Sequence, residues 1–466
     1  MLENLGKHIA DIADIVCSYP LFFLLIGGGL YLFISSGAVS VRRLPASLRE
    51  LRSKSGNGQN GQISSTQALL SVVAATIGLG NIAGVAIALV VGGPGAIFWM
   101  WVSALVGMAT KYHEGALAVM YKGKDDEGNP RGGTMHIIEK GLGPKWTPLA
   151  KFFAIAGMFG TLCIMNANQL TEAFMTTFTT PEGVEASGFL SAVGGAVSLS
   201  NTQAYRLLFG CAVAIVVSLV IFGGIKRIAK VASVLVPFMV GIYFLMVLYI
   251  ILTNLHAVPA VFGRIFSEAF NLQAGFGAFA GIAIIGARRA ALVNDAGIGT
   301  ATIMHGSSRN NNPVKEGLVA MLGPAIDSGL VCTLTAVAIL LCGNIDVEGV
   351  KGLEVAMRAF GNAIPGGTYM LMFIVICFAL SSMFSYSYYG TSCATYLFGA
   401  RRGRYFTYFF VATLVIFAIV PLEAAVGMCD LFYALMAIPT MISVLLLSGR
   451  VRKATREFFS SRKSKS

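Results

Sequence analysis

Apolar runs of spanning length recur along the chain at roughly 15–37, 66–91, 94–121, 149–178, 204–223, 231–253, 271–290, 316–342, 367–398, 404–421 and 430–449. A helix that crosses a bilayer needs about 20 apolar residues. Strand-type alternation is absent, and each run can satisfy its own backbone in lipid only as a helix. The pattern therefore predicts an all-α polytopic membrane protein with eleven transmembrane helices. The polar segments between the runs differ in character. Residues 38–65 are partly low-complexity, 122–148 carry turn signals at Gly132-Gly133 and Gly143-Pro144, and 343–366 leave room for a short helix. The tail after Arg450 reads as solvated and mobile.

Two of the runs are interrupted. Thr76-Ile77-Gly78-Leu79-Gly80-Asn81-Ile82-Ala83-Gly84 lies near the middle of the second run, and Gly275-Phe276-Gly277-Ala278-Phe279-Ala280-Gly281 lies in the seventh. In lipid, loosened backbone survives only where protein buries it or where it lines a polar cavity. Close helix packing through small residues is the bland reading of the glycines, but Thr76 and Asn81 add polarity that packing does not require. The two spans run in opposite senses across the membrane and are five apart. That placement marks an inverted-repeat transporter with its site at the midplane. Half-helix ends supply the chemistry. Exposed N–H groups and a positive dipole end hold a carboxylate, and freed carbonyls coordinate a cation.

Charge settles orientation. Of the 34 Lys and Arg residues, 29 fall in or beside one set of loops and the tail, and five fall on the other side. Basic loops face the cytoplasm, so the N-terminus is expected outside and the C-terminus inside. The net charge of +12 is thus a topology signal, and no nucleic-acid role is needed to explain it. Only 12% of residues are charged and 56% are hydrophobic, against about 25% charged in soluble domains. Met1–Asp14 carries a single Lys and lacks the basic start of a cleaved signal, so the first span is expected to stay in the mature protein. The eight cysteines are scattered without a CxxC pair and the five histidines without HExxH spacing, which leaves no metal site or disulfide framework. With no phosphate-binding loop and no catalytic cluster, the chain reads as neither an ATP-driven pump nor an enzyme.

Several polar side chains fall at membrane depth. Thr76 to Asn81 are the first candidates for substrate contact (Thr76, Ile77, Gly78, Gly80 and Asn81), mainly through backbone groups. Phe276, Gly277, Phe279 and Gly281 are expected to face them, with either Phe closing over the ligand or packing in the core. Asn166 and Asn168 in the fourth span contact ligand or bridge helices, because unpaired polar groups there are costly. Ser381-Ser382 form a hydroxyl pair in the ninth span, whose partners are either their own i−4 carbonyls or a cation. Asp327 in the eighth span and Glu172 in the fourth are intramembrane carboxylates, each a proton or cation site or a structural acceptor. Glu114 and Asp295 are placed near the inside face, pairing with Lys111, Arg288 or Arg289.

These residues resemble the alanine or glycine:cation symporter family. The likeness is close over "TIGLGNIAGVAIALVVGGPGAIFWMWVSALVGMATKYHEGALAVMYK", and it continues in "GGTMHIIEKGLG", "VKEGLVAMLGPAIDSGLVCTLTA" and "SYYGTSCATYLFG". It implies the leucine-transporter fold, an extra N-terminal helix followed by a five-plus-five inverted repeat. On this chain that division is 1–63 for the extra helix and basic loop, 64–253 for the first repeat, 254–449 for the second and 450–466 for the tail. The resemblance further implies import of alanine or glycine with Na⁺ as coupling ion and no other cofactor, in the cell membrane of a bacterium or archaeon. Na⁺ would be held by Ser381, Ser382 and backbone oxygens of Thr76 and Leu79. Hard oxygen ligands suit Na⁺ rather than a transition metal. Proton coupling, another small zwitterion, and a channel are the alternatives. The chain departs from the family pattern at Leu79, where Thr is usual, at Asp295 in place of Glu, and at Tyr386 in place of Trp.

Overall fold

The computed structural model describes residues 19–52, 62–270, 276–342, 352–420 and 422–463. Among these, six helices are long and apolar enough to cross a membrane, or seven when one bent pair counts as a single span. In chain order the helices used below are α1 (Pro20–Ser35), the bent pair α2 (Ser65–Thr76) and α3 (Gly80–Gly92), and α4 (Gly95–Met120). A two-stranded hairpin, β1 (Gly123–Lys124) with β2 (Pro130–Arg131), precedes α5 (Thr147–Gly160) and α6 (Ile164–Phe178). Then come α7 (Asn201–Ile221), α8 (Gly224–Thr253), α9 (Phe276–Val293), α10 (Thr300–Gly306) and α11 (Pro313–Cys342). The chain closes with α12 (Gly367–Gly403), α13 (Phe406–Ile419) and α14 (Leu422–Lys463). Helix α4 carries Lys111, His113 and Glu114 in its second half, and α1 and α13 are shorter apolar helices.

Local chemistry explains where these helices start. Ser64 and Gln67 form a reciprocal capping box at α2, and Ser200 and Gln203 do the same at α7, satisfying N–H groups that no preceding turn can. Burial separates core from rim. The apolar window of α12 is 67% buried and that of α7 only 28%, so α12 lies inside the bundle and α7 presents most of its surface outward. Glycine sets the closest approaches: a Cβ at Gly286 of α9 would lie 2.2 Å from the Ala96 carbonyl oxygen of α4.

Five of the basic segments meet on one face. The N–H of Gln62 donates to Ser307 O (3.0 Å) and that of Arg309 to Ile63 O (2.8 Å). Lys122 Nζ donates to the carbonyls of Ser308 and Asn310, Asp126 Oδ2 accepts from Ala400 N–H, and Glu50 pairs with Lys315 at 2.9 Å. The tail joins the same layer, contrary to the expectation of a mobile end. It continues α14 as helix to Lys463. Val451 is fully buried, Thr455 Oγ1 lies 2.6 Å from Tyr112 Oη, and the Arg43 guanidinium stacks 3.7 Å from the Phe459 ring centroid. Positions 451, 455 and 459 share one helix face, which gives the tail a stripe to dock.

The fourth run is not one continuous helix. It breaks between α5 and α6 at Thr161–Cys163, where Cys163 takes a left-handed conformation (φ 53°). Thr161 donates to the Gly157 carbonyl through both its N–H (3.2 Å) and its Oγ1 (2.7 Å). Glu172, expected to be buried, pairs with Arg206 at 2.5 Å, and its side chain is 44% exposed.

Candidate functional site

The first interruption is held open by its own residues. Helix α2 ends at Thr76, and Ile77 turns to an extended conformation (φ −70°, ψ 95°). Asn81 accepts the Gly78 N–H at Oδ1 (2.9 Å) and donates through Nδ2 to Asp327 Oδ1 of α11. Thr76 lies beside the same carboxyl. The chain resumes as a π turn, Gly80–Gly84, and α3 is bent 57° from α2. Asp327 itself lies in a π turn, Ala325–Val331, that follows Pro324, and such turns concentrate at functional sites. Its Oδ2 is buried without a hydrogen-bond partner.

The second interruption is displaced from the expected one. Gly275 lies outside the described residues; from Phe276 to Val293 the backbone is helical, and the unwound segment is Asn294–Gly299. Glycine costs about 1 kcal/mol in a helix, too little to open a backbone ladder whose freed groups would meet lipid. At 294–299 the opening comes from positive φ at Asp295, Gly297 and Gly299, and the freed groups find partners. Ala296 N–H bonds Asn294 Oδ1 (3.0 Å), Gly299 N–H bonds Glu114 Oε1 (3.1 Å), and Thr440 Oγ1 donates to Ile298 O (3.0 Å). A Cβ at Gly299 would lie 2.5 Å from the hydroxyls of Thr134 and Thr440. Gly297-Ile298-Gly299 repeats the Gly78-Leu79-Gly80 spacing of the first break, a signal present in the sequence. Phe276, Gly277 and Phe279 belong to α9 by their backbone, and their side-chain surroundings lie outside the described residues. Gly281 is helical and does not border the cavity between the breaks.

That cavity has a volume of about 140 Å³. Thr76, Gly78, Leu79 and Gly80 line it from the first break, Leu292 and Val293 from the end of α9, and Asp295 from the second break. Val293 Cγ2 lies 3.5 Å from the Cβ positions of both Gly80 and Gly84, so the glycines let the two segments meet. Cys163, Asn166 and Gln169 contribute from the start of α6, Ser382 and Tyr386 from α12, and Cys429, Asp430 and Tyr433 from α14. Ile77 and Asn81 are fully buried and stand outside this wall. Asn168 also stands apart: its Nδ2 donates to the carbonyls of Phe417 and Val420, the helix-bridging alternative. Cys163, Tyr433 and Cys429 were not candidates, because nothing in an apolar run marks a cysteine or tyrosine as facing a cavity.

Beside the cavity lies a cluster made only of oxygen. Ser381 Oγ is 3.0 Å from Ala74 O and 2.9 Å from Phe378 O. Ser382 Oγ is 2.9 Å from Ala75 O, 3.3 Å from Ala74 O and 3.1 Å from Phe378 O. Three carbonyls thus share two hydroxyl protons, an excess of lone pairs that suits a hard monovalent cation. Leu79 O accepts from the N–H groups of Ile82 and Ala83. The backbone oxygens that the two hydroxyls meet are those of Ala74 and Ala75 at the end of α2 and of Phe378 in α12, not those of Thr76 or Leu79. A Cβ at Gly78 would lie 2.9 Å from Ser382 Oγ, so glycine there keeps cluster and break in contact. Lys111 and Glu114 pair at 3.7 Å as expected, but at 1% and 0% exposure they are internal rather than interfacial.

Comparison with known proteins accords with this geometry. The chain is 37% identical over 447 residues to the sodium/alanine symporter AgcS of Methanococcus maripaludis, covering 95% of this chain and 94% of that one. It is 32% identical over 466 residues to the amino-acid carrier protein AlsT of Bacillus subtilis, covering 99% and 94%. A probable sodium/glutamine symporter, GlnT of the same organism, is 30% identical over 470 residues, covering 99% and 93%. The crystal structure of MhsT in complex with L-phenylalanine shares the fold with a TM-score of 0.50 at 14% identity, covering 84% of this chain and 100% of that one. The profile of the sodium:alanine symporter family matches residues 2–466. With that match over the whole length and relatives above 30% identity end to end, the chain belongs to the sodium:alanine symporter family.

Proposed function

We propose that the protein imports a small neutral amino acid, alanine or glycine, together with Na⁺ by alternating access. Family membership carries cation-coupled amino-acid transport; the ion and the substrate are our reading. The observation that carries it is Ser382. This residue borders the cavity and belongs to the oxygen cluster that joins α12 to the end of α2. A cation there ties both helices together and fixes one wall of the substrate space, so each ligand favours binding of the other. A cavity of about 140 Å³ favours a small side chain. The start of α3 at Gly80 turns the positive end of its dipole towards a carboxylate.

The same reading gives eleven spans, with one extra helix (1–63), repeats over 64–253 and 254–449 and the basic tail. The N-terminus is outside and the C-terminus cytoplasmic. Support comes from two breaks on spans of opposite sense and from the basic segments gathered on one face. A proton-coupled alternative draws on Asp327, whose Oδ2 is buried without a partner, and on the 32% identity to a putative sodium/proton-dependent alanine carrier of Bacillus subtilis. Proteoliposomes given an inward sodium gradient or an inward proton gradient, with labelled alanine, glycine and glutamine, test these readings. Accumulation of alanine or glycine only under the sodium gradient is expected. Accumulation under the proton gradient alone transfers the coupling to H⁺, and equilibration without accumulation makes the protein a channel.

A further inference from the structure

The breaks are wrapped around a set of buried ionisable groups. Glu114, Asp295 and Asp327 are each at most 1% exposed. Among the described residues, the one buried lysine is Lys111, also 1% exposed. It lies 3.7 Å from Glu114 and acts electrostatically on Asp295 and Asp327 as well. Three carboxyl groups thus gather around one ammonium, with Arg289 and Asp430 also on the cavity wall. A buried carboxyl either pairs with a cation or takes up a proton, so each of these groups is a place for positive charge to arrive.

Of the three carboxylates, only Asp295 borders the cavity. Asp327 is held by Asn81, and Glu114 accepts the Gly299 N–H. Asp295 is fixed from one side. Tyr386 Oη donates to its Oδ2 at 2.5 Å and Thr300 Oγ1 to the same atom at 3.2 Å. Tyr433, itself on the cavity wall, donates to Tyr386 at 2.6 Å. Both hydrogen bonds end on Oδ2, which leaves Oδ1 as the acceptor still to be met. Arg289 also borders the cavity, and it has interactions of its own.

We infer that Asp295 is the residue that binds the substrate's ammonium group, with Tyr386 and Thr300 aiming its carboxylate. The inference rests on the cavity being the substrate site. It gives the two breaks separate tasks, with the first taking the carboxylate end of an amino acid and the second the amino end. It also states a chemical requirement: a ligand of the right size without a positive amine leaves the buried carboxylates uncompensated and is rejected.

The test uses the full chain in proteoliposomes with a sodium gradient, as wild type, Asp295→Asn and Asp295→Glu. Expected is a rise in KM for alanine of about ten- to a hundredfold in Asp295→Asn, the range for a lost hydrogen bond to a charged group, with the sodium concentration for half-maximal rate unchanged. Asp295→Glu restores most of the loss. In the wild type, propionate, which is alanine without its amine, does not compete with alanine uptake, whereas ethylamine competes weakly and loses that effect in Asp295→Asn. An unchanged KM in Asp295→Asn overturns the inference, as does a change confined to the sodium dependence. The wild-type arm decides even where Asp295→Asn does not fold, because propionate competing as well as alanine overturns the inference by itself. A wild type that accumulates no small amino acid defeats the proposed function instead, and the two failures are distinguishable.

Discussion

At the scale of single residues, the site separates side chains that touch the cavity from those that shape it. Asn166 borders the cavity, while Asn168 two residues later donates to the carbonyls of Phe417 and Val420 on the far side of the same helix. Asn166→Ala should therefore change KM for the substrate with little loss of stability. Asn168→Ala should lower thermal stability by about 1–3 kcal/mol through the unmet carbonyls and leave KM near wild type. Uptake kinetics beside thermal denaturation in detergent check the pair, and equal effects on KM would remove the distinction. The sequence marked both asparagines, because an amide at membrane depth is visible in any hydropathy pattern. Which of them faced the cavity depended on helix rotation, and that is set by the neighbours α12 and α13.

At the scale of elements, the informative features are the helix breaks. The first was legible because glycines, Thr76 and Asn81 fall together inside an apolar run, and Asn81 indeed stabilises the break through Gly78. The second was misplaced by one helix, because glycines alone do not open a helix in lipid. Asn294–Gly299 opens only because Glu114, Ser328, Tyr386 and Thr440 from four other segments supply partners. The third, at Cys163, contains no glycine or proline, so its sequence resembles uninterrupted helix. It places Cys163 on the cavity wall beside Cys429. In a Cys429→Ser background, a small thiol reagent should modify Cys163 and abolish uptake, and saturating substrate should slow the modification several-fold. Modification at the same rate with and without substrate would detach this break from the site.

At the scale of the whole molecule, a polar layer ties together segments that are far apart in sequence. The β1–β2 hairpin reaches α12 through Asp126 and the N–H of Ala400, and Glu127 pairs with Arg404. Arg131 reaches Tyr388 at 3.3 Å, which in turn lies 3.0 Å from Ser307 at the end of α10. His136 is buried against this hairpin, since a Cβ at Gly123 would lie 2.4 Å from its ring. Burial, with Lys140 and Arg131 adding repulsion, holds its imidazole down at about 4, against 6.5 when free. The unfolded chain therefore binds this proton more readily than the folded one. The stability His136 contributes is full above pH 6.5 and is lost as pH falls towards 4. Thermal denaturation at pH 7.5 and pH 5 should show a larger drop for wild type than for His136→Gln, and equal drops would mean the imidazole is not sequestered.

What the sequence determined by itself is the membrane character, the alternation of basic loops, the first break and the kind of side chains available at depth. Each is a local property, readable from hydropathy, charge and backbone propensity over one span. What only the tertiary structure decided is where the second and third breaks fall, which oxygens gather around Ser382, and how three carboxylates come to share one lysine. Those depend on partners tens to hundreds of residues away, because in a dry interior a freed N–H, carbonyl or charge persists only where another helix meets it.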